Sequence, residues 1–188
     1  MKAKKTDLKK LVVAAMLLAL ALVLPFLTGQ LQQLGNALCP MHIPVLLCGF
    51  FCGPWYGLAV GLLAPLLRFA MFGMPPLLPI GIPMCFELAA YGLTAGLLYK
   101  LLPAKKQYIY VSLVSAMLAG RVIWGAARVV LYGLGKSEFG WAAFLAGAFT
   151  NAVPGIIWQL VLIPLLVMTI SKVFPERKKE KKNEDQNT

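Results

Sequence analysis

Between Ala119 and Val130 the chain reads AGRVIWGAARVV, which sets two arginines inside an apolar run long enough to cross a bilayer. Arg121, Trp124 and Arg128 stand at i, i+3 and i+7 and so share one helical face. A guanidinium does not release its proton and is costly to place in hydrocarbon. That face must therefore meet something polar, either the interior of a bundle or a water-filled cavity.

The remainder of the chain is equally unlike a soluble domain: 60% of its 188 residues are hydrophobic, 13% are charged, and mean hydropathy is +0.76. The expectation is an all-α integral membrane protein. The net charge of +11 does not point to nucleic acid, because the basic residues gather in three clusters instead of covering a surface. Lys2, Lys4, Lys5, Lys9 and Lys10 precede the first apolar run, Lys100, Lys105 and Lys106 bracket a break in the middle, and Lys172 to Lys182 lie in the tail. Charge at the ends of membrane segments reads as topology, with contact to anionic lipid as a second effect. Cys39, Cys48, Cys52 and Cys85 form no C-x-x-C pair and read as small packing residues, so no metal and no cofactor are expected.

The first apolar segment runs from about residue 8 to 27. Its lysine-rich start resembles the leading region of a signal peptide, but the apolar run continues past Ala21, which favours an uncleaved spanning helix. Residues 28–41 are a polar interval carrying Gln30, Gln32, Gln33 and Asn36. The next apolar stretch, 42–72, contains Gly53-Pro54 and either crosses once or turns there and crosses twice. Two crossings place all three basic clusters on the cytoplasmic side, so helices at 43–53 and 54–72 are expected, at least one of them short, tilted or buried in protein. Gly73 to Pro79 is too proline-rich for a helix interior and makes a second outer loop. Further helices follow at about 81–102, 108–132 and 141–171, with a tight turn at 133–140. Residues 175–188 form a charged, disordered tail. The expected architecture is a six-transmembrane-helix bundle spanning 1–174 with both termini cytoplasmic, and no internal repeat is visible.

In this topology Glu87 lies roughly 9 Å below the outer end of its helix, and Arg68, Arg121, Arg128 and Asn151 also fall in the outer half. Four helices then aim polar groups into one outward cavity, as in a ligand site built inside a bundle. Three arginines facing one glutamate favour a carboxylate or phosphate guest, since the planar fork grips a carboxylate with two hydrogen bonds. The plainer alternative is that Glu87 clamps Arg121 while Arg68 and Arg128 reach toward headgroups. Asn151, Trp158 and Gln159 share an i, i+7, i+8 face, Tyr91 is one turn from Glu87, and His42 sits where the first loop meets the second helix. Each fits either a ligand contact or ordinary packing, and His42 also fits a helix cap.

Small residues recur as well. Ala15 and Ala19 are four apart on the first helix, Gly49, Gly53, Gly57 and Gly61 recur at every fourth position, and Gly92 and Gly96 repeat the spacing. Such stripes let helix backbones approach closely. No G-x-x-x-x-G-K-[ST], H-E-x-x-H or G-x-S-x-G is present, so the chain is not expected to be an enzyme or to hydrolyse ATP in the P-loop manner by itself.

The size, the six-helix layout, the Ala15-x-x-x-Ala19 pair, the LCPMHIPVLLCGFFCGPWYG stretch from Leu38 and the GRVIWG and NAVPGIIWQ segments together resemble the substrate-binding (S) components of energy-coupling factor (ECF) vitamin transporters. The resemblance implies a vitamin site facing outward, lidded by loops matching Gln30 to Pro40, which include Asn36, and Gly73 to Pro79. It implies that small residues on helix 1, here Ala15 and Ala19 with Val23 next in the series, dock on a transmembrane coupling subunit. Two ATPase subunits would drive transport, with release by toppling in the cell membrane. Similar sequences point to pantothenate; biotin, nicotinate and folate also carry carboxylates, whereas cationic thiamine suits an arginine-rich cavity less. Competing expectations are a structural or assembly membrane protein without a ligand and an autonomous homodimeric carrier.

Overall fold

The computed structural model describes residues 2–28, 40–103, 105–132 and 153–173. Helix α1 is Lys2–Val23, continued by a 3-10 turn over Leu24–Thr28; α2 is His42–Cys52, α3 Pro54–Phe72, α4 Ile82–Leu101, α5 Lys106–Tyr132 and α6 Val153–Val173. Among the described residues there is no strand. Helix α1 begins at Lys2, ahead of the apolar run that starts at Leu8, because lysine is itself a good helix former and the polar lead-in extends the same helix.

The break between α2 and α3 is a single residue. Gly53 takes φ 99° and ψ 176°, a conformation that residues with a Cβ rarely adopt, and its N–H bonds the Gly49 carbonyl at 3.2 Å. Pro54 follows at the first position of α3, where a missing N–H costs nothing. In one straight helix, residues eight apart are about 12 Å apart along the axis. Here a Cβ built on Gly57 would lie only 2.9 Å from the Gly49 Cα, so the chain folds back at Gly53 and α2 and α3 form a hairpin.

That hairpin straddles α4. A Cβ on Gly49 would meet the Gly92 carbonyl oxygen at 2.5 Å, one on Gly57 would meet the same oxygen at 2.6 Å, and one on Gly96 would meet the Pro54 nitrogen at 2.6 Å. The glycines at fourfold spacing are thus the crossing of α2 and α3 with α4, a contact no side chain could enter. In lipid, where burying apolar surface does little to drive helix association, this closeness of backbones holds the bundle.

Helix α2 is enclosed on nearly every side: all of its residues except Phe51 are buried. It packs against α1, α3, α4 and α6, while α5 packs between α4 and α6, so α2, α4, α5 and α6 close a ring. At the other end of α3, Gly73 (φ 69°) caps the helix in the left-handed conformation. Gly73 to Pro76 is an irregular connection, and Leu77–Gly81 makes one wide turn in which Leu78 takes extended dihedrals.

Four of the described helices are long and apolar enough to cross a membrane: Asp7–Phe26, Pro54–Phe72, Leu77–Leu101 and Lys106–Leu131. His42–Cys52 and Gly155–Ser171 fall below that length. The first is short because Gly53 stops it after eleven residues, about 16 Å of rise. For the second, the expected helix start near 141 lies outside the described residues.

Candidate functional site

Three of the ring's helices bring ionisable side chains together at the end where α2 begins. His42 is the first residue of α2, Glu87 lies in the second turn of α4, and Arg121 lies in the middle of α5. Arg121 Nη1 is 2.9 Å from Glu87 Oε1, and His42 Nε2 is 3.5 Å from that same oxygen. All three side chains are buried. Burying two opposite charges costs several kcal/mol of hydration for each ion, so only a close pair survives there. Among the described residues, Oε1 is within ion-pair distance of Arg121 but receives no aligned hydrogen bond, and neither nitrogen of the His42 ring, 3% exposed, has a hydrogen-bond partner.

His42 does not cap its helix. No side chain caps α2; the imidazole instead turns inward and meets the Tyr91 ring edge-on, with centroids 5.1 Å apart. Tyr91 is one turn along α4 from Glu87 and is held from the other side by Gly120, where a Cβ would lie 2.9 Å from the phenol ring. Gly120 immediately precedes Arg121. Its missing side chain thus seats Tyr91, and nothing in its spacing singled it out, because the neighbour it accommodates comes from another helix.

Further along α5, Trp124 is buried, and the Arg128 guanidinium lies over its indole at 5.0 Å. This is the i, i+4 neighbour relation of a helix face joined to a cation–π contact. Trp124 and Arg128 thus meet on one face of α5. On α6, Gln159 is 2% exposed whereas Trp158 is 50% exposed; successive residues on a helix point about 100° apart, so the two do not share an environment. Asn151 and Asn36 lie outside the described residues.

Arg68 goes elsewhere. Its guanidinium is buried between Phe26 and Phe72, at 5.0 and 5.6 Å from their ring centres, and its Nη1 donates to the Leu22 carbonyl at 2.5 Å. The last carbonyls of a helix have no partner within it, and their negative dipole end attracts a cation. Arg68 thereby ties the end of α1 to the end of α3 instead of joining Glu87. The two phenylalanines, 4.9 Å apart edge-to-face, were not singled out by spacing.

On α1, Ala15 and Ala19 are exposed while Ala14 and Ala21 are buried. The alanine pair therefore faces away from the bundle. Among the described residues no group of three or more histidines, cysteines or acids could hold a metal ion.

Comparison with known families matches residues 9–167 to the ECF transporter, substrate-specific component family. Comparison with curated proteins and with solved structures gives no match. The match covers far more than half of the chain and reaches every helix of the ring, so the protein belongs to the family of substrate-specific components of ECF transporters.

Proposed function

We propose that the protein is the specificity subunit of an ECF-type importer, binding a water-soluble vitamin with a carboxylate, pantothenate ahead of biotin, nicotinate and folate. It delivers that vitamin through a transmembrane coupling subunit and two ATPases. The chain lies in the cell membrane with both termini cytoplasmic, and the α2–α3 hairpin supplies two of six crossings. Family membership supports the transport role.

The observation that carries the binding reading is His42: a ring almost completely buried, without a hydrogen bond at either nitrogen among the described residues, beside the Glu87–Arg121 pair. A buried polar group left unsatisfied by the protein is a place where a ligand supplies the partner. Arg121 and Arg128 on one face of α5 favour a carboxylate guest, with Trp124, Tyr91 and Gln159 beside it. His42 and Glu87 complete this set, to which the reading adds Asn36, Asn151 and Trp158; Arg68, tied to the Leu22 carbonyl, is left out of it. The preference for pantothenate rests on resemblance of sequence alone. The exposed Ala15–Ala19 pair supports docking through α1.

A second reading has its own support: an ion pair at 2.9 Å is also what a helix clamp in a structural membrane protein requires. Native mass spectrometry of the purified chain, followed by equilibrium dialysis against the four carboxylate vitamins and thiamine without ATP, separates the two. One carboxylate vitamin bound per chain is expected. Binding of none would leave the clamp.

A further inference from the structure

We propose that His42 and Arg121 compete for the carboxylate of Glu87, so that an anionic ligand taking Arg121 draws one proton from solvent onto His42. The proposal rests on the ligand-binding reading above and adds a proton to it.

Glu87 Oε1 stands between two groups from two other helices, 2.9 Å from Arg121 Nη1 and 3.5 Å from His42 Nε2. One permanent cation suffices for one carboxylate, and the imidazole stays close without a hydrogen bond at either nitrogen among the described residues. A ligand carboxylate binds best where it can take the guanidinium fork with two parallel hydrogen bonds. Doing so removes much of the counter-charge of Glu87 in a place where water cannot replace it. The nearest group able to become cationic is the imidazole, which acquires a charge near neutral pH more readily than any other side chain. Charge then balances. Before binding the site holds Glu87 and Arg121; afterwards it holds two pairs, ligand with Arg121 and Glu87 with the His42 imidazolium, the added proton having come from solvent.

The other ionisable groups around His42 do not offer a substitute among the described residues. Helix α4 adds Tyr91, edge-on to the ring, and Cys85; α5 adds Arg128, seven positions beyond Arg121 and set over Trp124. On α3, Arg68 is committed to the Leu22 carbonyl. Helix α1 carries its ionisable residues, up to Lys10, in the half away from Leu22, α2 itself has only Cys48 and Cys52, and α6 has none before Lys172. No described carboxylate other than Glu87 lies on α2 to α6.

His42 is the one histidine in the chain, so nitrogen-15 histidine labelling reports on it without assignment. The experiment records ring-nitrogen shifts of the full chain in nanodiscs for wild type, Arg121→Gln and Glu87→Gln, with and without pantothenate, and pantothenate affinity from about pH 5.5 to 8. Arg121→Gln should raise the imidazolium fraction without ligand, pantothenate should do so in wild type, and Glu87→Gln should remove the response to pantothenate. Affinity should rise about tenfold per unit fall in pH while one proton is taken up, and His42→Gln should flatten that slope. Unchanged His42 shifts in Arg121→Gln, or a wild-type affinity independent of pH, overturn the proposal. If Arg121→Gln does not fold, the wild-type pH series decides alone. Pantothenate binding with no change at His42 sinks the proton linkage and leaves the vitamin reading standing. An imidazolium in Arg121→Gln without pantothenate binding supports the competition and sinks the choice of vitamin.

Discussion

Arg121 on α5 and Glu87 on α4 meet at 2.9 Å with both side chains sealed inside the bundle. Neither residue can be lost alone without cost. Arg121→Met should destabilise the protein by about 3–5 kcal/mol, because it leaves a buried carboxylate without its main counter-charge. The double variant Arg121→Met with Glu87→Met should lie much closer to wild type. Thermal or denaturant unfolding in detergent measures both, and equal losses in the single and double variants would count against a coupled pair.

The crossing of the α2–α3 hairpin with α4 depends on backbone touching backbone. Gly92→Ala should cost about 1–3 kcal/mol, since its Cβ would run into the Gly57 backbone, which cannot move aside as a side chain can. Gly73→Ala has open space around it and should cost only the left-handed backbone penalty, about 1–2 kcal/mol. Unfolding measurements on purified variants check the pair. A Gly92→Ala protein as stable as wild type would mean that the crossing is looser than described.

Arg68 serves stability and not the Glu87 cluster. Arg68→Ala should cost about 1.5–3 kcal/mol, the range for a hydrogen bond from a charged group. Arg68→Lys should recover only part of this, because an ammonium cannot lie flat between Phe26 and Phe72. Both stability and the affinity of the folded variants are to be measured. A stable Arg68→Ala protein that no longer bound a vitamin would move Arg68 into the site.

Ala15 and Ala19 face outward from α1. Replacing either by leucine should leave folding and vitamin binding within experimental error of wild type and abolish uptake in cells that carry the coupling subunit and ATPases. Retained uptake would exclude this face as the docking surface.

Helix positions were legible in the sequence wherever a backbone rule marks them. Gly53-Pro54 ends one helix and begins the next, and Pro54–Phe72 is bounded as read, with Gly73 closing it. The glycine stripes were legible as close packing, and the helix they pack against is a matter of tertiary arrangement. Glu87 and Arg121 could be placed on facing helices by depth, because topology fixes how far along each helix a residue lies. The contacts of His42, Gly120 and Arg68 could not be read in this way. The burial of His42 depends on three neighbouring helices, Gly120 matters only because Tyr91 leans on it, and Arg68 is long enough to reach a carbonyl on α1 that no pattern marks. Trp158 and Gln159 looked like one face, but neighbouring residues on a helix diverge by more than a quarter turn, and burial separates them.

Equilibrium binding of pantothenate and the other carboxylate vitamins to wild type, Arg121→Ala and Arg128→Ala, each first shown to be folded, tests the central claim most directly. One carboxylate vitamin should bind wild type, and each substitution should weaken it by more than about 1.5 kcal/mol, roughly tenfold or more in Kd. Wild-type affinity in both folded variants, or no binding to wild type by any vitamin offered, would contradict it.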